Sequence, residues 1–179
     1  MRLDLGVCGV RSFRATDAEE LARHANNRRV WLQLRDRFPH PYAIDDARRF
    51  IAFARRGDPE TTFAVTVDDV SVGAIGATLR DDVERCSAEV GYWLGEPYWG
   101  RGIATTALAG FTRYAFPAYN LERLYAVPFA SNTASCRVLQ RVGYRLEGRM
   151  RRSAIKDGKV LDQLLYAILR ETVPRLSGS

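Results

Sequence analysis

"YWGRGIATTAL", residues 98–108, is the stretch on which the reading of this chain turns. Ala104, Ala107, Leu108, Phe111 and Ala115 fall at spacings of three or four, which predicts a helix with one apolar face from about Ile103 to Phe116, stopped by Pro117. The first amides of any helix lack partners inside it. Gly100 and Gly102 let the preceding backbone curl closely, so the N–H groups of Arg101, Gly102, Ile103, Ala104 and Thr105 can converge on one anion, with the helix dipole adding positive potential. A pyrophosphate fits such a nest; a tight turn that holds no ligand is the plain alternative. A Walker loop is excluded, because it requires GxxxxGK followed by Ser or Thr. The dinucleotide fingerprint is weakened, because Thr105 stands where its last glycine belongs.

Strands lead up to this helix. "TTFAVTV" (61–67), "SVGAIGATL" (71–79) and "SAEVGYWL" (87–94) are rich in β-branched and aromatic residues, and the pairs Asp68-Asp69 and Asp81-Asp82 between them suit turns, so an antiparallel meander is expected. Nearer the N-terminus, "VRSFRA" reads as a short strand, "DAEELARHAN" as a helix capped by Thr16 or Asp17, and "DDARRFIAFARR" as a second helix ending at Gly57. Between those helices the prolines of "FPHPY" force an extended or turned path. Beyond Pro117 come a strand "RLYAV", a helix over 133–142 capped by Ser131 or Asn132 and stopped by Gly143, and two strands joined by a hairpin turn at Asp157-Gly158.

Composition bounds the rest. A chain of 179 residues, 46% hydrophobic and 27% charged, can bury one core, and a single domain over 1–179 is expected. No stretch approaches the roughly 18 apolar residues of a membrane span, and "MRLDLGVCGVRSF" carries no long apolar run before a small-residue cleavage site, so a cytoplasmic protein with no membrane partner is expected. The net charge of +6 suits acidic partners, but arginine clusters such as "RRVWLQLRDR" read most simply as solvated faces, and nucleic acid is not the expected partner. Cys8, Cys86 and Cys136 are scattered, suggest neither disulfides nor a metal site, and read as buried thiols. Cys136 has no base near it in sequence and reads as packing. His24 and His40 have no partner acid in view, and surface or packing roles are expected for both.

"YWGRGIATTAL" followed by "NTASCRVLQRVGY" resembles the acetyl-CoA motif and the next helix motif of the GNAT acetyltransferase superfamily. "FPHPYAIDDARRFI", "AEVGYWL" and "EGRMRRSAIKDGKVLDQLLYAI" resemble its RimJ/RimL branch in the same order. The resemblance runs over nearly the whole chain. It implies a mixed α/β fold: a central, mostly antiparallel sheet of six to seven strands flanked by about four helices, with acetyl-CoA wedged where two adjacent strands splay. It also implies direct transfer of acetyl from acetyl-CoA to a primary amine, without a metal.

Residue by residue, the resemblance implies that main-chain groups of Trp93 and Leu94 pair with the pantetheine arm of the cofactor. The amides of Trp99, Gly100, Arg101, Gly102, Ile103, Ala104 and Thr105 hold its pyrophosphate, with Arg101 adding charge. Asn132 hydrogen-bonds the pantetheine arm, and Ser135 lies near the cofactor sulfur as the donor to the departing thiolate, unless it only caps its helix. Trp99 stands where the family carries Gln or Arg, and Thr106 where many relatives carry Glu. Glu89 shares a strand face with Gly91 and Trp93 by two-residue alternation, which makes it the candidate base in a cleft walled by aromatics; a solvated or salt-bridged glutamate is the alternative. Trp31, Phe38 and Tyr42 either line the acceptor pocket or pack in the core.

For the acceptor, the branch resemblance implies the α-amino group of a protein N-terminus. A small amine such as an antibiotic, polyamine or amino acid would call for an acid-lined, closed pocket. A non-catalytic module that binds CoA or nucleic acid is the reading from another class, and a homodimer is left open.

Overall fold

Two-residue alternation puts Ala88, Val90 and Leu94 on one side of a strand and Glu89, Gly91 and Trp93 on the other, and that strand is the hinge of the architecture. In the computed structural model, which describes residues 1–172, the elements are β1 (Arg2–Asp4), β2 (Gly9–Arg11), α1 (Ala18–Ala25), α2 (Arg28–Trp31), α3 (Ile44–Arg56), β3 (Thr62–Val67), β4 (Val70–Leu79), β5 (Ser87–Leu94), α4 (Ile103–Ala118), β6 (Arg123–Ala126), α5 (Thr133–Val142), β7 (Arg145–Lys156) and β8 (Lys159–Leu169). The last residues of the expected domain, 173–179, lie outside the described residues. One eight-stranded sheet runs in the order β1-β2-β3-β4-β5-β6-β8-β7. The β5–β6 pair is parallel and all other neighbours are antiparallel.

The mixed, mostly antiparallel class is as expected, with more elements than the six to seven strands and about four helices anticipated. The addition at the sheet edge is β1, three residues that pair back on β2 through a turn at Gly6. The additional helix is the four-residue α2, closed by Asn27 Oδ1, which accepts from the amides of Arg29 and Val30. Both are too short to display a period. Turn chemistry was more legible: Asp157 and Gly158 have φ of 50° and 72°, as a two-residue hairpin loop demands, and Asp68 and Asp69 turn with φ of 50° and 63°.

Two further corrections are local. α4 does not stop at Pro117 but runs to Ala118, because the proline sits in the last turn and the capping Tyr119 N–H still reaches the Ala115 carbonyl at 3.0 Å. Asp17 occupies the position before α1 but makes no side-chain cap, since its carboxylate is bound by both terminal nitrogens of buried Arg11 at 2.8 Å and by the Arg14 amide at 2.7 Å.

Each face of the sheet carries its own core. On one, Phe63, Val72, Ile75, Val90 and Leu94 pack under α4 through Ile103, Leu108 and Phe111. On the other, Phe13, Ala64 and Ala74 pack under α1 and α3 through Leu21, Ala47 and Ile51.

Candidate active site

The parallel ladder between β5 and β6 ends at the pair Glu89–Tyr125, although β5 continues to Leu94. On the β4 side the ladder is complete, bracketed by Arg80 N–H to the Ser87 carbonyl at 3.0 Å and Gly95 N–H to the Val72 carbonyl at 2.8 Å. Residues two apart on a strand aim their main-chain groups the same way, so Glu89, Gly91 and Trp93 face β4 while Val90, Tyr92 and Leu94 face away. This corrects one sequence expectation: Trp93 is committed to β4, and the main chain left to meet a ligand belongs to Tyr92 and Leu94. The Leu94 carbonyl is already taken by the indole N–H of Trp99 at 2.8 Å, which leaves its amide.

Just past that strand, Gly100 and Gly102 adopt φ of 73° and 78°, the left-handed region that glycine enters freely. Gly102 stands at the cap position of α4, no side chain caps the helix, and a Cβ at either glycine would meet nothing within 4 Å. Bare amides therefore face open space at the positive end of a helix dipole, the arrangement that attracts phosphate. Ala104 and Thr105 border the same space, while the Ile103 side chain is buried in the core and contributes only its amide. Two loop side chains act differently from expectation. The Arg101 guanidinium lies over the Tyr98 ring, 5.5 Å from its centre, and is not among the residues lining the cleft. Trp99 ties the loop to β5 through its indole, with Arg29 over its ring at 5.5 Å, and its own amide is spent on the Glu96 carbonyl at 3.1 Å, so it does not join the expected nest.

The opposite wall is the start of α5. Asn132 Oδ1 accepts from the Ser135 N–H at 3.1 Å, which identifies Asn132 as the cap, and Asn132 also lines the cleft. Ser135 does not cap; its Oγ lies 2.9 Å from the hydroxyl of Tyr92. Sequence reasoning missed Tyr92, though the alternation that singled out Glu89 also puts Tyr92 on the α4 and α5 side. Burial pushes the Tyr92 phenol up to about 12, so it stays protonated at neutral pH. The splayed strands, the loop and α5 enclose a cleft of about 690 Å³.

Glu89 lies across the sheet from that pair, and its surroundings differ from the expected aromatic wall. Its carboxylate is half-buried between two guanidiniums, Arg35 and, at 3.1 Å, Arg80, with Arg80 also bound to the Tyr125 hydroxyl. Arg35 and Arg80 carry no local signal, being brought in by α2's connection and by β4. Of the expected acceptor-pocket residues, Phe38 and Tyr42 pack with Trp93 in the second core, ring centres 4.8 Å and 5.4 Å apart. Trp31 stacks on His40 and carries the buried Lys156 ammonium 3.7 Å from its ring centre. None of the three lines the cleft, whose lining includes Gln33, Leu34, Arg35, Phe129 and Gln163.

The remaining candidates divide between packing and surface positions. His24 is buried against Tyr98 and under Gly95, where a Cβ would come within 2.7 Å of its ring, and burial lowers its pKa so that it stays neutral. His40 is exposed. Cys8 and Cys136 are buried as expected, but Cys86 is exposed. Among the described residues no cluster of His, Cys, Asp and Glu suits a metal, and no helix is long and apolar enough to cross a membrane.

Known proteins share this plan. "Probable N-acetyltransferase YjcK" of Bacillus subtilis is 30% identical over 169 residues, 89% of this chain and 92% of its own. The solved structure of "Mycobacterium smegmatis RimJ in complex with CoA-disulfide" superposes with a TM-score of 0.84 at 30% identity, covering 97% of this chain and 87% of that one. Two Escherichia coli enzymes also match: "Ribosomal-protein-serine acetyltransferase", 29% identical over 59% of this chain and 58% of its own, and "Spermidine N(1)-acetyltransferase", 24% identical over 62% and 59%. The chain spans a little over half the length of the first curated relatives it matches, 57% for "Uncharacterized N-acetyltransferase p20" of Bacillus licheniformis. The family description "Acetyltransferase (GNAT) domain" fits residues 9–145, from the start of β2 to the start of β7 and so through both walls of the cleft. The chain belongs to the GNAT acetyltransferase family.

Proposed function

We propose that the protein transfers the acetyl group of acetyl-CoA to the α-amino group at the N-terminus of a protein, and that it does so as one domain over 1–179 in the cytoplasm. The observation that carries this reading is that the start of α4 with its uncapped amides, the open edge of β5 and Glu89 all border one cleft. A long ligand held by its phosphates at α4 would run along Leu94 and Tyr92 and present its far end where β5 and β6 part. The open space beside Gly100 and Gly102 and their uncapped amides fit the pyrophosphate of acetyl-CoA, whose thioester supplies the activated acetyl group.

The residues then divide the work. Glu89, released from one of its guanidiniums, takes a proton from the acceptor ammonium, directly or through a water. The freed nitrogen attacks the thioester carbonyl carbon, and the C–S bond breaks with its electron pair going to sulfur. Ser135 offers its hydroxyl to the departing sulfur, which is finally protonated by the hydrogen that the new amide nitrogen sheds.

Charge supports the choice of acceptor. Glu89 is the one carboxylate among the described residues lining the cleft, which also carries Arg35, Arg137 and Arg141. A polyamine calls for several carboxylates and would meet guanidiniums instead. A single amine on a neutral or acidic polypeptide suits the mouth better, in keeping with the ribosomal-protein acetyltransferase among its relatives.

The test is to incubate the protein with isotopically labelled acetyl-CoA and a lysate and locate the label by mass spectrometry. Label on a protein N-terminus is the expected result, and label confined to small amines would replace the acceptor. Glu89→Gln should bind acetyl-CoA normally and lower kcat about a hundredfold. Unchanged turnover would remove Glu89 from the mechanism.

A further inference from the structure

Ser135 is fixed at both its main chain and its side chain. Its N–H is spent on the Asn132 cap at 3.1 Å, while its Oγ and its carbonyl lie 2.9 Å and 3.3 Å from the hydroxyl of Tyr92. Tyr92 comes from β5, its ring packed against the first core, and both residues line the cleft. A phenol has one hydrogen to give, and so does a serine hydroxyl; the phenol's can go to the Ser135 carbonyl at 3.3 Å or to Oγ at 2.9 Å, and Oγ is the nearer acceptor. If the phenol gives its hydrogen to Oγ, the serine hydrogen is left for the cleft. If the serine gives its hydrogen to the phenol, nothing is left to meet a ligand there.

We infer that Tyr92 is a positioning residue, donating to Ser135 Oγ so that the serine hydroxyl is held as a hydrogen-bond donor to the sulfur that leaves in the acetyl transfer proposed above, on which this inference rests. Burial keeps the phenol protonated and therefore able to donate. Tyr92 keeps its own proton throughout. The sulfur departs with the C–S electron pair, its growing charge is met by the serine hydroxyl, and its proton comes from the acceptor nitrogen, so neither hydroxyl is consumed. A donor polarised by a second hydrogen bond is the stronger one, and its aim is set before the charge develops.

The test separates kcat from KM, using acetyl-CoA and a pool of short peptides with free N-termini. Tyr92→Phe should lower kcat about tenfold, with the KM for acetyl-CoA changing less than twofold. Ser135→Ala should lower kcat at least as far, and adding Tyr92→Phe to it should cost nothing more. An unchanged or raised kcat in Tyr92→Phe beside an active wild type overturns the inference alone, as does a double variant whose losses simply add. A wild type that binds acetyl-CoA but turns over none of the peptides overturns the acetyl-transfer reading and this inference with it. Should Tyr92→Phe fail to fold, 3-fluorotyrosine at position 92 decides the direction of the bond. Its phenol is the stronger donor and weaker acceptor, so kcat should rise, and a fall would reverse the assignment.

Discussion

α4 and α5 begin on facing walls of one cleft, and they begin differently. α5 closes itself, with the Asn132 side chain accepting from the Ser135 amide at 3.1 Å. α4 starts at a glycine that has no side chain to offer and whose neighbours supply none. The helix that lacks a cap is not the weaker one, because Ile103, Leu108, Phe111 and Ala115 anchor it in the first core. α5 buries only Cys136 and Leu139 along its length and needs its cap more. Burial thus stabilises α4 enough to leave its first amides uncapped, whereas those of Thr133, Ser135 and Cys136 in α5 are committed to the fold.

The largest expected effect tests the bare end. Gly102→Asp places a carboxylate where the amides converge and should weaken acetyl-CoA binding at least about a hundredfold by calorimetric titration. Gly102→Asn has the same shape, tolerates a positive φ and lacks the charge, so it should lose far less. Equal losses would mean that shape rather than charge governs the site. At the capped end, Asn132→Ala should cost about 1 kcal/mol of stability, a fall of roughly 3 °C in Tm, and reduce acetyl-CoA affinity only a few-fold. A loss of affinity as large as that of Gly102→Asp would erase the distinction between the two ends. The smallest effect is expected between them. Trp99→Phe keeps the ring under Arg29 but deletes the 2.8 Å bond to the Leu94 carbonyl, which should cost about 1 kcal/mol or less in a thermal melt and leave kcat unchanged.

The same contrast explains what could be read from the sequence. α5 and β5 occupy the expected residues, Thr133–Val142 and Ser87–Leu94, because caps, a stop glycine and a clean alternation are local signals. The glycines before α4 announced its open end for the same reason. Non-local facts were hidden. That Trp93 spends its main chain on β4 depends on the register Ala74–Trp93, and that Glu89 sits between guanidiniums depends on Arg35 and Arg80 arriving from other elements. Phe38 and Tyr42 read equally as wall or core, because an aromatic beside a proline looks the same in either place. Tyr92 was within reach of the alternation, but only the α5 surface opposite gives its hydroxyl a meaning.

The amide resonances of the protein, followed in a proton–nitrogen correlation spectrum as acetyl-CoA is added, read the central claim at its source. The account predicts that Gly100, Gly102, Ile103 and Ala104 shift strongly as their N–H groups meet phosphate oxygens, while the Ser135 amide, already bonded to Asn132, moves little. Saturated binding with the α4 amides unmoved would contradict it.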